Sequence, residues 1–443
     1  MPLRSYQQDL VAGIGDAFRA GAKGVMAQLP TGAGKTYTAL SWAKAASDRS
    51  GHRTLTIVHR DELLHQWHAE AKGLQIPAGL LAATVGKKCT DQTAPLQIAM
   101  VDTLNRRPNA YEDEDFDWVF FDEAHLGSAA KFDKIRERFS DARFIGWSAT
   151  PDRLDRKGFP WCDKLVRGPG YHVLEQLGAL VPFTIYSIKG IDYTGLRKKF
   201  GEYTAESQSK QFMTQPLIGS VVGEYIDKAF MRTGLVFAVN VQHSKKLCAE
   251  FRAAGIPAAH IDGTTPREER RAVLDKLAQG DLWIVCNVGV LVEGLNITSI
   301  SYIGIAFATA SLPKWIQCSG RAVRPSDGKT DAIICDHGGN ALRHGSLDYS
   351  FEWQLGPKPK RKRNEPETIR ARICATCQAV YPLTEMACPV CGTIHVIQPK
   401  APATKGGKLE KLSRGSGPVR RRKRGPTVKQ LEDDVTSWVG RFR

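Results

Sequence analysis

"QLPTGAGKTYTAL", residues 28–40, decides the fold. A strand ending at Leu29 runs into a glycine-flanked Gly34-Lys35-Thr36 and then into a helical pattern, the strand–loop–helix order that a phosphate-binding loop requires. Gly32 and Gly34 allow the tight turn, so that the backbone from Pro30 through Thr31, Gly32, Ala33 and Gly34 can surround phosphate oxygens at a helix N-terminus. Lys35 reaches the β- and γ-phosphates and Thr36 holds Mg²⁺. The strict pattern asks for glycine where Leu29 stands. The expectation is a nucleoside triphosphate site on a parallel α/β sheet.

An acidic pair closing a buried strand completes such a site. "WVFFDEAH" (118–125) supplies it: Asp122 holds Mg²⁺ through its water shell, and Glu123 orients and deprotonates the attacking water. Negative charge builds on the γ-phosphoryl oxygens during transfer, and arginines brought from elsewhere commonly stabilise it. "QCSGRAVRP" (317–325) offers Gln317, Arg321 and Arg324, with helical spacing that can aim both guanidiniums one way. Taken together with the lysine loop, they predict two lobes that close on one nucleotide.

The strand pattern agrees. Apolar runs at 24–29, 54–59, 96–101, 118–121 and 143–146 form one series, and runs at 234–239, 258–261, 282–286, 300–306 and 332–335 a second. Runs such as "DWVFF" and "LWIVC" lack polar alternation and read as parallel strands covered on both faces. The fold class expected is α/β, with two parallel-sheet lobes in tandem, a small zinc ribbon and a basic disordered tail. The divisions are residues 1–165 for the nucleotide-binding lobe, 166–232 for a linker or accessory element, and 233–349 for the second lobe. They continue with 350–372 for a basic linker ("GPKPKRKRNEPE"), 373–395 for a cysteine ribbon, and 396–443 for the tail, with a short helix over 427–439.

Of the 443 residues, 42% are apolar and 24% charged, ordinary values for a globular chain. No run approaches about 18 uncharged apolar residues, and "MPLRSYQQDL" lacks a signal-peptide pattern, so neither membrane nor export is expected. The work is expected in the cytoplasm of a bacterial or phage-infected cell, or in the nucleus of a eukaryote. Net charge is +16, and residues 357–443, with 20 Lys and Arg against 7 Asp and Glu, carry +13 of it. A tail of that kind suits a polyanion, nucleic acid above all; a solvated tail is the plain alternative.

Six cysteines (Cys89, Cys162, Cys248, Cys286, Cys318, Cys335) are scattered and read as small core residues. The other four stand in "CATCQAVYPLTEMACPVCG": Cys374, Cys377, Cys388 and Cys391, two C-x2-C pairs ten residues apart. Two such pairs close a tetrahedral all-thiolate shell with no open position, which means a structural Zn²⁺. An iron–sulfur site or free thiols are the alternatives, and the ribbon spacing favours zinc.

In their order these elements resemble the superfamily 2 helicases, over about residues 1–345. "LRSYQQDL" (3–10) is similar to the adenine-reading motif, which would put Arg4 and Gln7 near the base. "LPTGAGKT" is similar to motif I, where a non-glycine first position is common, and DEAH to motif II. "IVHRDELLHQW" (57–67) is similar to motif Ia, "MVDTLNR" (100–106) to motif Ib, and "SAT" (148–150) to motif III. "LVFAVNVQHSKKL" (235–247) resembles motif IV, "CNVGVLVEGLNI" (286–297) motif V, and "QCSGRAVRP" motif VI. Within the superfamily the chain looks most like the RadD-type and XPB-related DNA repair and phage helicases.

The resemblance implies further roles. Motifs Ia, Ib, IV and V would line a groove for a polynucleotide backbone, with His59, Arg60 and Thr103 as contacts. Ser148, Thr150, His125 and Gln317 would pass nucleotide state to that groove, and Gly294 and Asn296 would reach the nucleotide. Relatives often carry aspartate where Asn296 stands, and asparagine keeps the hydrogen bond without the charge. The function expected is an ATP- and Mg²⁺-dependent DNA helicase or translocase, acting as a monomer in repair, recombination or phage replication. An RNA helicase and a non-catalytic, ATP-gated nucleic-acid adaptor are the alternatives. The stretch "PDRLDRK" (151–157) has its acidic residues too crowded for a nuclease motif.

Overall fold

In the computed structural model, which describes residues 2–86, 89–112, 115–126, 129–188, 191, 193–291, 297–358 and 370–395, the apolar runs of the first third become parallel strands. β1 (Gly24–Gln28), β2 (Thr54–Val58), β3 (Ala78–Leu81), β4 (Leu96–Met100), β5 (Trp118–Asp122), β6 (Arg143–Ser148) and β7 (Lys164–Arg167) make a seven-stranded sheet in the order β3-β4-β2-β5-β6-β1-β7. Every pairing in it is parallel. All five residues of β1, β2 and β5 are buried, as the unbroken apolar runs demand.

Helices cover both faces. α1 (Ser5–Arg19) buries Tyr6, Leu10, Ile14 and Ala17, a stripe at helical spacing, against the sheet with α2 (Lys35–Ser50) and α3 (Asp61–Gly73). The opposite face packs Phe121 against Phe132, ring centroids 4.2 Å apart, and Phe121 against Trp161 at 5.3 Å. α4 (Val101–Arg106), α5 (Ala129–Arg138) and α6 (Tyr171–Gln176) complete this lobe.

The second sheet is built from β8 (Phe183–Ser187), β11 (Gly234–Ala238), β12 (Ala258–Ile261), β13 (Ile284–Asn287), β14 (Tyr302–Ala306) and β15 (Ala332–Asp336) in the order β12-β13-β11-β14-β15-β8, again wholly parallel. Its helices are α8 (Gln215–Ala229), α9 (Val241–Ala253), α10 (Arg267–Gln279), α11 (Leu312–Ser319) and α12 (Asn340–His344). Between β8 and α8 lie a two-stranded hairpin, β9 (Lys198–Lys199) with β10 (Glu202–Tyr203), and α7 (Ala205–Phe212). A second antiparallel pair, β16 (Ala371–Ile373) and β17 (Val380–Pro382), carries the cysteines. Two RecA-like lobes in tandem and a four-cysteine module are therefore present; the tail 396–443 lies outside the described residues.

Two readings need correction. The stretch 166–232 is largely absorbed by the lobes: β7 extends the first sheet beside β1, β8 extends the second beside β15, and α8 packs against β14 and β15. β7 and β8 close the edges of their sheets, half-exposed along most of their length, and their sequences, KLVR and FTIYS, lack the unbroken apolar run that betrays a central strand. β3 escaped for a similar reason, being four residues with two of them Ala and Gly. The described start of the basic linker is not extended away from the protein: Leu355 O accepts from Phe159 N at 2.7 Å, and Lys358 pairs with Asp152 at 2.7 Å. The helix expected over 427–439 falls outside the described residues.

Candidate active site

The loop after β1 turns on Gly32 and Gly34, whose φ values are +92° and +81°. Only glycine holds that conformation without strain, and a side chain at Gly34 would also strike Gln7 Nε2, 2.7 Å from the Cβ position. α2 begins at Lys35, so its free N–H groups open into a cleft of about 260 Å³. Pro30, Thr31, Gly32, Gly34, Lys35 and Thr36 line that cleft from the first lobe.

Asp122 and Glu123 close β5 on its floor. Lys35 Nζ contacts Glu123 Oε1 and lies 3.5 Å from Asp122 Oδ1. Burial works to lower the Lys35 ammonium, but the two carboxylates outweigh it and hold the pKa above its ordinary value. Burial pushes Asp122 up, with Lys35 pulling the other way. Glu123 sits at φ +44°, a left-handed backbone for a non-glycine residue, of a kind that gathers at functional sites.

The second lobe completes the walls with Thr298, Gln317, Arg321, Arg324 and Pro325. Gln317 Nε2 donates to Glu123 Oε2 at 3.4 Å and meets His125 Nε2 at 3.3 Å. His125 Nδ1 lies 2.9 Å from Ser148 Oγ, which also accepts from Thr150 N at 3.0 Å. With Gln317 donating to Nε2, the imidazole carries its proton on Nδ1. Burial holds His125 at about 3, so it stays neutral. Gln317, His125, Ser148 and Thr150, expected as a relay, thus form one hydrogen-bonded chain across both lobes.

Arg321 is buried, and Arg324 lies against the phosphate loop: a Cβ at Gly32 would be 3.2 Å from its Cγ. Burial, with Arg321 beside it, draws the Arg324 guanidinium down to about 9. A buried guanidinium, a half-buried one and a lysine at a helix N-terminus form an anion site, and three phosphates carry the matching charge.

Other candidates are placed as follows. Gln7 Nε2 reaches Ala33 O and Gly34 O at 3.5 and 3.4 Å, while Arg4 is exposed with Nη1 at 3.5 Å from Gly178 O. Arg60 Nη1 donates to Gly289 O at 3.1 Å, joining the lobes through the motif Ia and motif V segments. His59 is half-buried and lowered by burial, its ring 5.4 Å from Phe132. Thr103 stands on α4 between exposed Asp102 and buried Leu104, itself 8% exposed. Gly294 and Asn296 lie outside the described residues.

Several contributors carry no motif signature. Trp67 Nε1 donates to Asp122 Oδ2, Tyr6 Oη donates to Ala33 O at 3.0 Å, and Leu63, Gln66 and Glu70 line the cleft from α3. Their i, i+3, i+4, i+7 spacing in "DELLHQWHAE" was the available signal, since it puts all four on one helical face.

The four cysteines stand apart from this cleft. Their Sγ atoms all lie within 4.8 Å of one another, with Cys374–Cys391 and Cys377–Cys388 each at 3.6 Å. A tetrahedral ion with bonds of about 2.3 Å sets sulfurs about 3.8 Å apart, so the cluster fits Zn²⁺. The module rests on the second lobe, where Ala379 bridges to Tyr186 of β8.

Comparison with known proteins agrees with this geometry. Residues 1–153 match the family model "Type III restriction enzyme, res subunit", and residues 219–326 match "Helicase conserved C-terminal domain". A "51.5 kDa protein" of a Lactococcus phage is 31% identical over 85% of this chain and 79% of its own length. The "Putative mitochondrial ATP-dependent helicase irc3" of Schizosaccharomyces pombe is 28% identical over 78% of this chain, which spans 59% of that relative. In fold, the chain is similar to the "ATP-dependent Type ISP restriction-modification enzyme LlaBIII bound to DNA", with a TM-score of 0.57 at 17% identity, over 75% of this chain and 27% of that one.

Proposed function

The chain belongs to the superfamily 2 helicases, and we propose that the polynucleotide it acts on is DNA, along which it moves or whose strands it opens as ATP is hydrolysed between its lobes. The observation that carries this reading is the meeting of Gln317 with Glu123 and His125, because a residue of one lobe then senses the group that acts on the nucleotide held by the other. DNA is favoured over RNA by the restriction-enzyme family model on the first lobe and by the basic C-terminal segment. Repair, recombination or phage replication is the process we assign, in a monomer working in the cytoplasm of a bacterial or phage-infected cell.

The roles we assign are these. The N–H groups at the start of α2 and the Lys35 ammonium bind the phosphates, Arg4 and Gln7 border the base, and Thr36 and Asp122 hold Mg²⁺. Held there, Mg²⁺ would supply positive charge against the negative charge that develops during transfer. Lys35 now engages Glu123; drawn towards phosphate, it releases that carboxylate to orient water and take its proton. Arg321 and Arg324 add positive charge from the second lobe only while the cleft is closed. Closure and reopening then travel through Gln317, His125 and Ser148 towards the backbone groove. Zn²⁺ in the four-cysteine module serves structure, since four thiolates leave no open position.

Phosphate release with and without single-stranded DNA, duplex DNA and RNA tests the reading. DNA is expected to stimulate most, and Glu123→Gln to slow turnover by about 10² to 10⁴-fold with ATP binding kept. Stimulation by RNA above DNA moves the substrate to RNA, and no stimulation by any polynucleotide ends the motor reading.

A further inference from the structure

Residues 193–212 stand over the carboxyl ends of the second sheet's strands. Tyr193 Oη donates to Gly338 O at 2.9 Å, beyond β15. Asn240, beyond β11, donates to Ser209 Oγ at 2.7 Å. Beyond β14, Ala308 N donates to Gln208 Oε1 at 2.9 Å and Ala310 N to Glu202 Oε1 at 2.8 Å. Leu196, Tyr203 and Phe212 bury a small core with Ala308, and the Arg343 guanidinium lies 4.0 Å over the Tyr193 ring. The element is thus fixed to the end of the sheet at which α/β folds take their ligands.

From this base the β9–β10 hairpin projects, and its apex is Phe200-Gly201, at φ +52° and +86°. A two-residue turn with both φ positive favours Asn-Gly or Gly-Gly; a bulky residue at its first position is strained. Phe200 is nevertheless there, and at 89% it is the most exposed large apolar side chain among the described residues. Folding gains nothing from a ring held rigid in water, so neither local nor core stability accounts for it. Lys199 Nζ lies 5.5 Å from the ring, and Arg197 and Lys198 precede it. A Cβ at Gly201 would sit 3.1 Å from Leu154 Cγ, so the apex reaches the first lobe at the segment following Ser148–Thr150. The ring therefore stands at the seam between the lobes.

We propose that Phe200 is a base-stacking wedge: a nucleobase of the bound polynucleotide stacks on its face, the neighbouring lysines meet the adjoining phosphates, and the ring parts the strands as the lobes move. Stacking on an exposed aromatic is tolerant of sequence and suits a motor that must act on any base. The proposal rests on the nucleic-acid reading above and adds to it a site that no motif marks.

The full chain is tested on a forked DNA with 2-aminopurine at the junction, as wild type, Phe200→Asn and Phe200→Trp. Asparagine suits the turn better than phenylalanine, so the melting temperature of Phe200→Asn holds or rises and lost function is not lost folding. Wild type and Phe200→Trp are expected to quench the probe, while Phe200→Asn does not and both binds the fork and separates its strands about tenfold less well. A Phe200→Asn variant that quenches and separates strands like wild type overturns the wedge, leaves the DNA reading standing, and turns the exposed ring towards a protein partner. A wild type that binds no polynucleotide overturns both.

Discussion

Trp67 Nε1 donates a hydrogen bond of 2.8 Å to Asp122 Oδ2, with the indole wholly buried. One oxygen of the aspartate is thereby fixed, and the other, Oδ1, faces Lys35 and accepts from Glu123 N at 3.0 Å. A carboxylate held at both oxygens has one orientation to offer a cation, which is what a partner behind a metal ligand contributes. Trp67→Phe keeps the packing and removes the donor. ATP turnover should fall about tenfold at limiting Mg²⁺, with the half-saturating Mg²⁺ concentration raised. A Mg²⁺ titration of turnover checks this, and an unchanged half-saturation would show the indole to be packing alone.

Arg324 sits against the phosphate loop although it belongs to the other lobe. On the proposed reading it meets charge that appears during transfer, so Arg324→Ala should lower turnover by about 10³-fold or more and change nucleotide affinity only about threefold. Arg324→Lys should not restore it, because an ammonium cannot present the planar fork. Single-turnover hydrolysis beside equilibrium binding of a fluorescent nucleotide separates the two effects.

Two buried histidines away from the cleft should make the protein acid-labile. Burial holds His243 and His337 at about 4 each, against about 6.5 in an unfolded chain. Between those values the unfolded state takes up protons that the folded state refuses, so stability is complete above about pH 6.5 and falls as the pH drops towards 4. Neither ring nitrogen of His337 has a hydrogen-bond partner among the described residues, so His337→Leu removes this liability without orphaning a group. Each histidine contributes about 1.4 kcal/mol of loss at pH 5.5. Melting curves from pH 7.5 to 5.5 should show a shallower decline for the variant.

Metal in the four-cysteine module should measure one Zn²⁺ per chain by elemental analysis, and none in Cys388→Ser. So small a segment has little core of its own beyond Ala379, Tyr381 and the cysteines, so metal loss should unfold it. Proteolysis within 371–395 should follow, while the cleft, built from other elements, keeps its nucleotide affinity.

How much was legible varied with the distance along the chain that each feature spans. The central strands declared themselves as unbroken apolar runs, since a strand covered on both faces leaves no room for polar alternation. β7 and β8 did not, because an edge strand is half solvated and needs no unbroken apolar run. Phe200 lies within 166–232, where no motif marks it; its meaning depends on a turn type and on what the hairpin stands upon.

Read alone, the chain of letters specified the phosphate loop, the acidic pair and the cysteine knuckles. Each is a contiguous segment whose backbone geometry places its own chemical groups, so spacing is enough. Tertiary structure alone decided that Trp67 would back Asp122, that Gln317 would cross to Glu123, and that a strained phenylalanine would stand at the seam of two lobes. Those relations join segments up to 194 residues apart, and they exist only because two packed sheets carry them to the same cleft and the same edge.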